Sequence, residues 1–232
     1  MTARLHEFSD AAALAEGLAD AVSAELANAI AARGTASLAV SGGSTPKAFF
    51  KALSNRDLAW DKVTVTLVDE RFVPPENERS NHLLVSTFLL QNKAAAASFV
   101  PLYEEAGSVE DAAHIVTVKT AALGNPFDVA ILGMGNDGHT ASFFPGGDHL
   151  ATALDAETTR GVMTMSAEGA GEPRLTFTFS SLQDARLLVL HIEGNGKKDV
   201  LAKAQEPGAE ADMPIRAILR RAASPVQIYW AP

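Results

Sequence analysis

The stretch Phe127-Asp-Val-Ala-Ile-Leu-Gly-Met-Gly-Asn-Asp-Gly-His-Thr-Ala-Ser-Phe-Phe-Pro-Gly146 decides the fold. Its opening run to Leu132 is short and largely apolar, the pattern of a strand covered on both faces, and it passes directly into a glycine loop that delivers one histidine. Strands covered on both faces belong to parallel sheets, whose carboxyl ends open into the crevice where ligands bind. Glycines let a ligand approach the backbone closely there, and His139 is the natural general base near neutral pH. Gly133, Gly135 and Gly138 also fit the dinucleotide-binding spacing. Against a nicotinamide site, the loop lies past mid-chain and no strand ending in an acidic ribose ligand follows ~20 residues on. In addition, Phe143-Phe-Pro-Gly146 interrupts any long helix.

The same alternation extends outward from this segment. Leu14, Leu18, Val22, Leu26 and Ile30 recur at helical spacing between Ser9-Asp10, an N-cap signal, and Gly34, a C-terminal stop. Residues 37–40 and 63–68 read as further buried strands. Ser108-x-x-Asp111 resembles a capping box opening a helix to about residue 123, with Gly124-Asn-Pro126 as its stop. Residues 162–165, 175–179, 187–192 and 226–230 read as later strands. No polar or Pro/Gly/Ser-rich linker and no internal repeat divides the series. The expectation is one α/β domain over residues 1–232, three-layered and Rossmann-like, with a mostly parallel sheet flanked by helices.

Composition narrows the function. The 232 residues carry a formal net charge of -9, which argues against a nucleic-acid partner, because phosphate-backbone binding needs a basic face. A small anionic ligand must then be held by local cations. The chain has no cysteine, which removes thiol nucleophiles, disulfides and cysteine metal sites and agrees with a reducing compartment. Residues 1–7 contain charge and no apolar h-region, and Glu16, Asp20 and Glu25 break the alanine-rich stretch that follows. A cytoplasmic protein with no membrane partner is expected.

Ser41-Gly-Gly-Ser-Thr-Pro46 follows the strand at 37–40 and precedes the helical run Lys47-Ala-Phe-Phe-Lys-Ala-Leu53. Gly42 and Gly43 let backbone N–H groups point inward, Ser44 and Thr45 add hydroxyl donors, and Pro46 suits the first helical position, where the helix dipole favours an anion. The alternative is a glycine turn capped by Ser44 or Thr45. The loop lacks the Gly-Lys-Ser/Thr of a nucleotide P-loop, so a sugar phosphate fits better than ATP. Asp69-Glu-Arg71 ends the next strand. Arg71 could clamp phosphate or donate to a developing oxyanion, and Asp69 could orient a sugar hydroxyl or the catalytic water. Glu70, Glu76 and Glu78 read as a surface ion-pair cluster. Arg174 at a strand start and Lys197 in a loop beyond another strand could add the positive charge that a phosphate dianion needs. His6, His82, His114, His149 and His191 lack ligand spacing and read as structural or solvent-exposed, so no metal is expected.

Taken in order, Ser41-Gly-Gly-Ser-Thr-Pro46, Asp69-Glu-Arg71, Arg79-Ser-Asn81, Gly133-Met-Gly-Asn-Asp-Gly-His-Thr-Ala-Ser142, Pro173-Arg-Leu-Thr176 and Gly194-x-x-Lys197 resemble the 6-phosphogluconolactonases across nearly the whole chain. The related glucosamine-6-phosphate deaminases share the Rossmann-like fold but typically continue the histidine loop with Ile-Ala-Phe-Asn-Glu-Pro. Thr140-Ala-Ser-Phe-Phe-Pro145 has no acidic residue there, which favours the lactonase. Phe72 stands where the lactonases often have Trp, and Phe177 and Phe179 lie in a strand usually richer in Leu; these exchanges alter packing volume only. The resemblance implies hydrolysis of 6-phospho-D-glucono-1,5-lactone to 6-phospho-D-gluconate, without cofactor or metal, by a monomer or weak homodimer. It implies a general base at His139 oriented by Asp137 or Asp69. Arg71 or loop N–H groups would face the oxyanion. Ser41, Gly42, Gly43, Ser44, Thr45, Arg71, Asn81, Gly135, Arg174 and Lys197 would bind the substrate. A sugar-phosphate-binding module without activity would keep the phosphate loop and often lose the histidine; this chain keeps both.

Overall fold

Alternating apolar strands and amphipathic helices bury their apolar surfaces together when helices cover a sheet on its two faces. The computed structural model describes residues 3–232 apart from residue 124. Along the chain run β1 (Arg4–Glu7), α1 (Ala11–Arg33), β2 (Ala36–Val40), α2 (Lys47–Ser54), β3 (Val63–Leu67), β4 (Asp69–Arg71), α3 (Asn81–Phe88) and β5 (Ser98–Val100). There follow α4 (Val109–Thr120), β6 (Val129–Leu132), α5 (Leu150–Leu154), β7 (Val162–Met165), β8 (Arg174–Phe177), α6 (Phe179–Leu182), β9 (Leu187–Glu193), α7 (Asn195–Gln205), α8 (Ile215–Arg221) and β10 (Val226–Ala231).

Seven strands form a wholly parallel sheet in the order β1-β10-β9-β6-β2-β3-β5. From β1 the chain steps through β2 and β3 to β5, then reverses through β6 and β9 to β10. Right-handed crossovers place α1, α2 and α3 on one face and α4, α7 and α8 on the other. Accordingly α1 packs on α2, α2 on α3, and α7 on α8. The two directions of travel part between β2 and β6, which are hydrogen-bonded neighbours with Leu38 opposite Val129 and Val40 opposite Ile131. Their carboxyl ends therefore open a crevice at the topological switch point.

Local signals set the helix ends. The Asp10 side chain accepts from Ala13 N at 2.8 Å, and Gly34, at φ +84°, donates its N–H to Ile30 O. Leu14, Leu18, Val22 and Leu26 are fully buried against the sheet, each stabilising the fold by about 1.5–3 kcal/mol. Ser108 caps α4 by accepting from Asp111 N, as its motif predicts, but the helix ends at Thr120, short of residue 123. Gly124, part of the expected stop, lies outside the described residues. No helix among the described residues is long and apolar enough to cross a membrane.

Three expectations need correction. Residues 162–165 and 175–179 do not join the parallel sheet: β7 and β8 form a separate antiparallel sheet with β4, in the order β4-β8-β7. Val68 is the junction, its N–H donating to Val40 O while its carbonyl accepts from Phe177 N. The expected strand at 175–179 also stops at Phe177: Thr178 takes the capping position of α6, and its hydroxyl bonds those of Ser180 and Ser181. Finally, Glu70 is fully buried rather than part of a surface cluster. One carboxylate oxygen accepts from the N–H groups of Arg71 and Asn81, the other from His82 N–H and the Ser80 hydroxyl. Burial pushes the Glu70 carboxyl up, against these four donors. They pin residues 80–82 to β4 and so fix the start of α3. Glu70→Gln turns one acceptor oxygen into a donor. Urea denaturation should show a loss of about 1–3 kcal/mol for this variant, whereas Glu76→Gln, at an exposed position, should change stability by less than about 0.5 kcal/mol.

Candidate active site

A cavity of about 660 Å³ occupies the switch-point crevice. Its walls come from the loops after β2 and β6, from β4 and β8 of the small sheet, and from the end of β9 with the first turn of α7. Ser41, Gly42, Gly43, Ser44 and Thr45 all line it, as do Asp69, Arg71, Asn81, Gly135, Asp137, His139, Arg174 and Lys197. Every residue singled out by the sequence for the site therefore meets in one cavity.

The loop after β2 is anchored by Ser41 N–H donating to Ile131 O at 3.0 Å, across to β6. Gly43 sits at φ +92°, a conformation that favours glycine. Gly42 is small for a different reason than ligand approach: a Cβ there would lie 1.9 Å from Asn81 Oδ1. Asn81 is buried, donates its amide to Asp69 O at 2.8 Å and accepts from Arg71 Nη1 at 3.2 Å, so it braces the wall. Pro46 takes the capping position of α2, one place before the first helical position expected for it.

Past β6 the chain folds back on itself. Gly135 N–H donates to His139 O at 2.8 Å and Gly138 N–H to Gly135 O. Ile215 N–H donates to Gly138 O at 2.9 Å, tethering the loop to α8. Asp137 Oδ1 accepts from the backbone N–H of His139 and stands 2.6 Å from His139 Nδ1. Burial alone would raise the Asp137 carboxyl, but the backbone N–H and ring of His139 outweigh it and hold the group below its ordinary value. A proton on Nδ1 donated to the Asp137 carboxylate would leave the Nε2 lone pair turned to accept another. The ring leans on Phe144, with centroids 4.8 Å apart. A Cβ on Gly135 would lie 2.1 Å from His139 Nδ1, so this glycine makes room for the imidazole. Asp69 reaches a different part of the same loop: its Oδ2 accepts from the Ser142 hydroxyl at 2.6 Å.

Cations gather on the small sheet. Arg71 and Arg174 face each other directly across the antiparallel pair β4 and β8, so two like charges share one face. Arg174 is buried, donates to Ala170 O and Glu172 O, and lies over the Phe144 ring. Burial lowers its pKa, as do Arg71 and Arg79, against Asp69 and Glu172. Arg71 donates to Arg79 O and Asn81 Oδ1, and its Nε is buried with no hydrogen-bond partner among the described residues. Lys197 lies in the first turn of α7 rather than in a loop, and its ammonium donates to Met134 O at 2.7 Å. Burial lowers the Lys197 pKa and Asp137 opposes the shift. An anion placed among these groups offsets both their mutual repulsion and the cost of burying their charge.

Arg79, which opens the Arg79-Ser-Asn81 motif and pairs with Glu172 at 2.8 Å, also lines the wall. Other wall residues had no motif to mark them: Glu168, Gly169 and Ala170 form one side, and His191 and Glu193 form another. The signal for the last two was position alone, at the carboxyl end of β9 just before the Gly194 turn. Among the described residues no group of three or more metal-binding side chains is placed to hold a metal ion.

The family model described as glucosamine-6-phosphate isomerases/6-phosphogluconolactonase matches residues 9–230. The chain belongs to this family. A 6-phosphogluconolactonase from Rhizobium meliloti (strain 1021) is 71% identical over the full length of both chains. A 6-phosphogluconolactonase from Shewanella baltica OS155, known as a crystal structure, superposes with a TM-score of 0.95 at 37% identity, covering 99% of this chain and 98% of the other. A monomeric glucosamine-6-phosphate deaminase of the same fold gives a TM-score of 0.78 at 18% identity, covering 98% and 97%; that likeness shows the fold alone. The family and its lactonase branch are those read from the motifs.

Gly135→Ala tests the packing under the imidazole. Displacing the ring by about an ångström should cut kcat by roughly 100-fold, with an unchanged far-ultraviolet circular dichroism spectrum and little change in KM.

Proposed function

We propose that the chain hydrolyses 6-phospho-D-glucono-1,5-lactone to 6-phospho-D-gluconate, in the oxidative branch of the pentose phosphate pathway. The observation that carries this mechanism is the Asp137–His139 pair facing the cationic wall of the same cavity. A strained lactone needs no covalent nucleophile, and the proposed chemistry uses no metal or cofactor. His139 Nε2 takes a proton from water as the water oxygen bonds to C1. The tetrahedral intermediate collapses by breaking the bond from C1 to the ring oxygen, and His139 returns the proton to that oxygen. General-base assistance of this kind contributes roughly 10²–10⁴-fold. Asp137 sets the tautomer, and Asp69 orients the water or a sugar hydroxyl. Arg71 or N–H groups of the glycine loops face the oxyanion.

The phosphate is assigned to Ser44, Thr45 and the Ser41 to Gly43 backbone, with Arg174 and Lys197 supplying charge. These contacts fix the far end of the sugar, so that C1 is held against the water. Gly135 and Asn81 serve by placing His139 and Arg71. Among the described residues Asp137 is the one carboxylate paired with His139, which favours the lactonase over the deaminase. We take residues 1–232 as one domain working as a monomer or weak homodimer. The acidic, cysteine-free composition supports a cytoplasmic setting.

The test generates the lactone in place with glucose-6-phosphate dehydrogenase and follows its loss, beside an ammonia assay on glucosamine 6-phosphate. Accelerated lactone loss without ammonia release is expected. His139→Ala should lower kcat by roughly 10²–10⁴-fold, and Arg174→Ala and Lys197→Ala should raise KM. Full turnover by His139→Ala would remove the general base from the mechanism. Ammonia release alone would move the chain to the deaminases, and sugar-phosphate binding without either reaction would make it a binding module.

A further inference from the structure

Glu193 is a cavity-lining carboxylate that the mechanism above leaves unused. It is the last residue of β9, beside the switch point, and its Oε1 stands 3.0 Å from Nε2 of the buried His191. His191 is itself wedged edge-on against Phe49 of α2, with ring centroids 6.0 Å apart. The imidazole N–H thus fixes the Glu193 side chain and occupies one carboxylate oxygen. Among the described residues no other hydrogen bond and no ion pair to Arg174 or Lys197 reaches this carboxylate, so it does not neutralise a wall cation. The result is a hydrogen-bond acceptor held in place by His191, with one oxygen left for whatever fills the cavity. A phosphorylated lactone carries no cation and no N–H. Its only donors are its hydroxyls, and a carboxylate repels its phosphate.

We propose that Glu193, held by His191, is a specificity-determining residue that accepts a hydrogen bond from one ring hydroxyl of the lactone. This rests on the lactonase function proposed above. A charged acceptor left without its donor in a partly closed site penalises an analogue that lacks the hydroxyl. The carboxylate would in this way select a sugar lactone over an unsubstituted one.

The experiment compares wild type, Glu193→Ala, Glu193→Gln and His191→Phe on the parent lactone and on its monodeoxy analogues, each made from the corresponding deoxy sugar phosphate. Glu193→Ala should lower kcat/KM on the parent by roughly 10- to 100-fold. On one monodeoxy lactone it should have no effect, because that analogue has no donor to lose. Glu193→Gln, which keeps an acceptor oxygen, should recover part of the loss, and His191→Phe should fall between wild type and Glu193→Ala. An equal loss on every analogue, no loss on any, or a uniform gain from removing a charge near the phosphate would each overturn the proposal. Failure of wild type to open the parent lactone would instead overturn the function itself.

Discussion

The hydrogen-bonded adjacency of β2 and β6 is the constraint on which the rest of the molecule depends. Because the chain leaves β2 in one direction across the sheet and leaves β6 in the other, no crossover covers the gap above their carboxyl ends. Two glycine loops are forced to face each other there, one aimed at an anion and one delivering an imidazole. Their separation is set by the ladder that pairs Val40 with Ile131, and Ser41 continues that ladder by donating to Ile131 O. A site built this way inherits the stiffness of the sheet and pays little ordering entropy when substrate arrives.

The small antiparallel sheet supplies what the parallel one cannot. Parallel strands with both faces covered have little room for charge, whereas β4 and β8 bring Arg71 and Arg174 together at the cavity edge. Their repulsion is tolerated because neighbouring carbonyls, Asn81 and Phe144 hold the guanidinium groups in place. Asp69 binds this sheet to the histidine loop through Ser142, and Glu70 binds it to α3. Consecutive carboxylates thus look in opposite directions, one into the site and one into the scaffold, as the alternation of a strand requires.

The same alternation explains what was legible in the sequence. Long periodic elements such as α1, with Asp10 and Gly34 at its ends, declared themselves, as did the apolar strands β2, β3, β6 and β9. The edge strands β1 and β5 did not, because each is short, without a fully buried residue, and carries no sustained pattern. Glu70 was misjudged because a strand of three residues shows no periodicity from which to infer which face a carboxylate takes. Gly42 and Gly135 were noticed as openings for a ligand or for inward N–H groups, whereas the space beside them is filled by Asn81 and His139. Local sequence announces that a side chain is missing; which neighbour takes its place is a tertiary fact. His191 was read as structural, which its burial bears out, but its bond to Glu193 and the place of that carboxylate on the cavity wall went unread, because no motif marked the carboxyl end of β9.

The sheet's outer pairing bears on how the molecule comes into being on the ribosome. Among the described strands β1 pairs with β10 alone, with Arg4 opposite Gln227 and Glu7 opposite Trp230. During synthesis residues 4–7 precede their partner strand by more than two hundred residues. Until then the amino-terminal segment has no ladder to join, and α1 can cover only β2 and whatever follows it. That edge of the sheet is therefore closed by elements far apart in the chain, and until β10 is made β9 presents an unpaired edge.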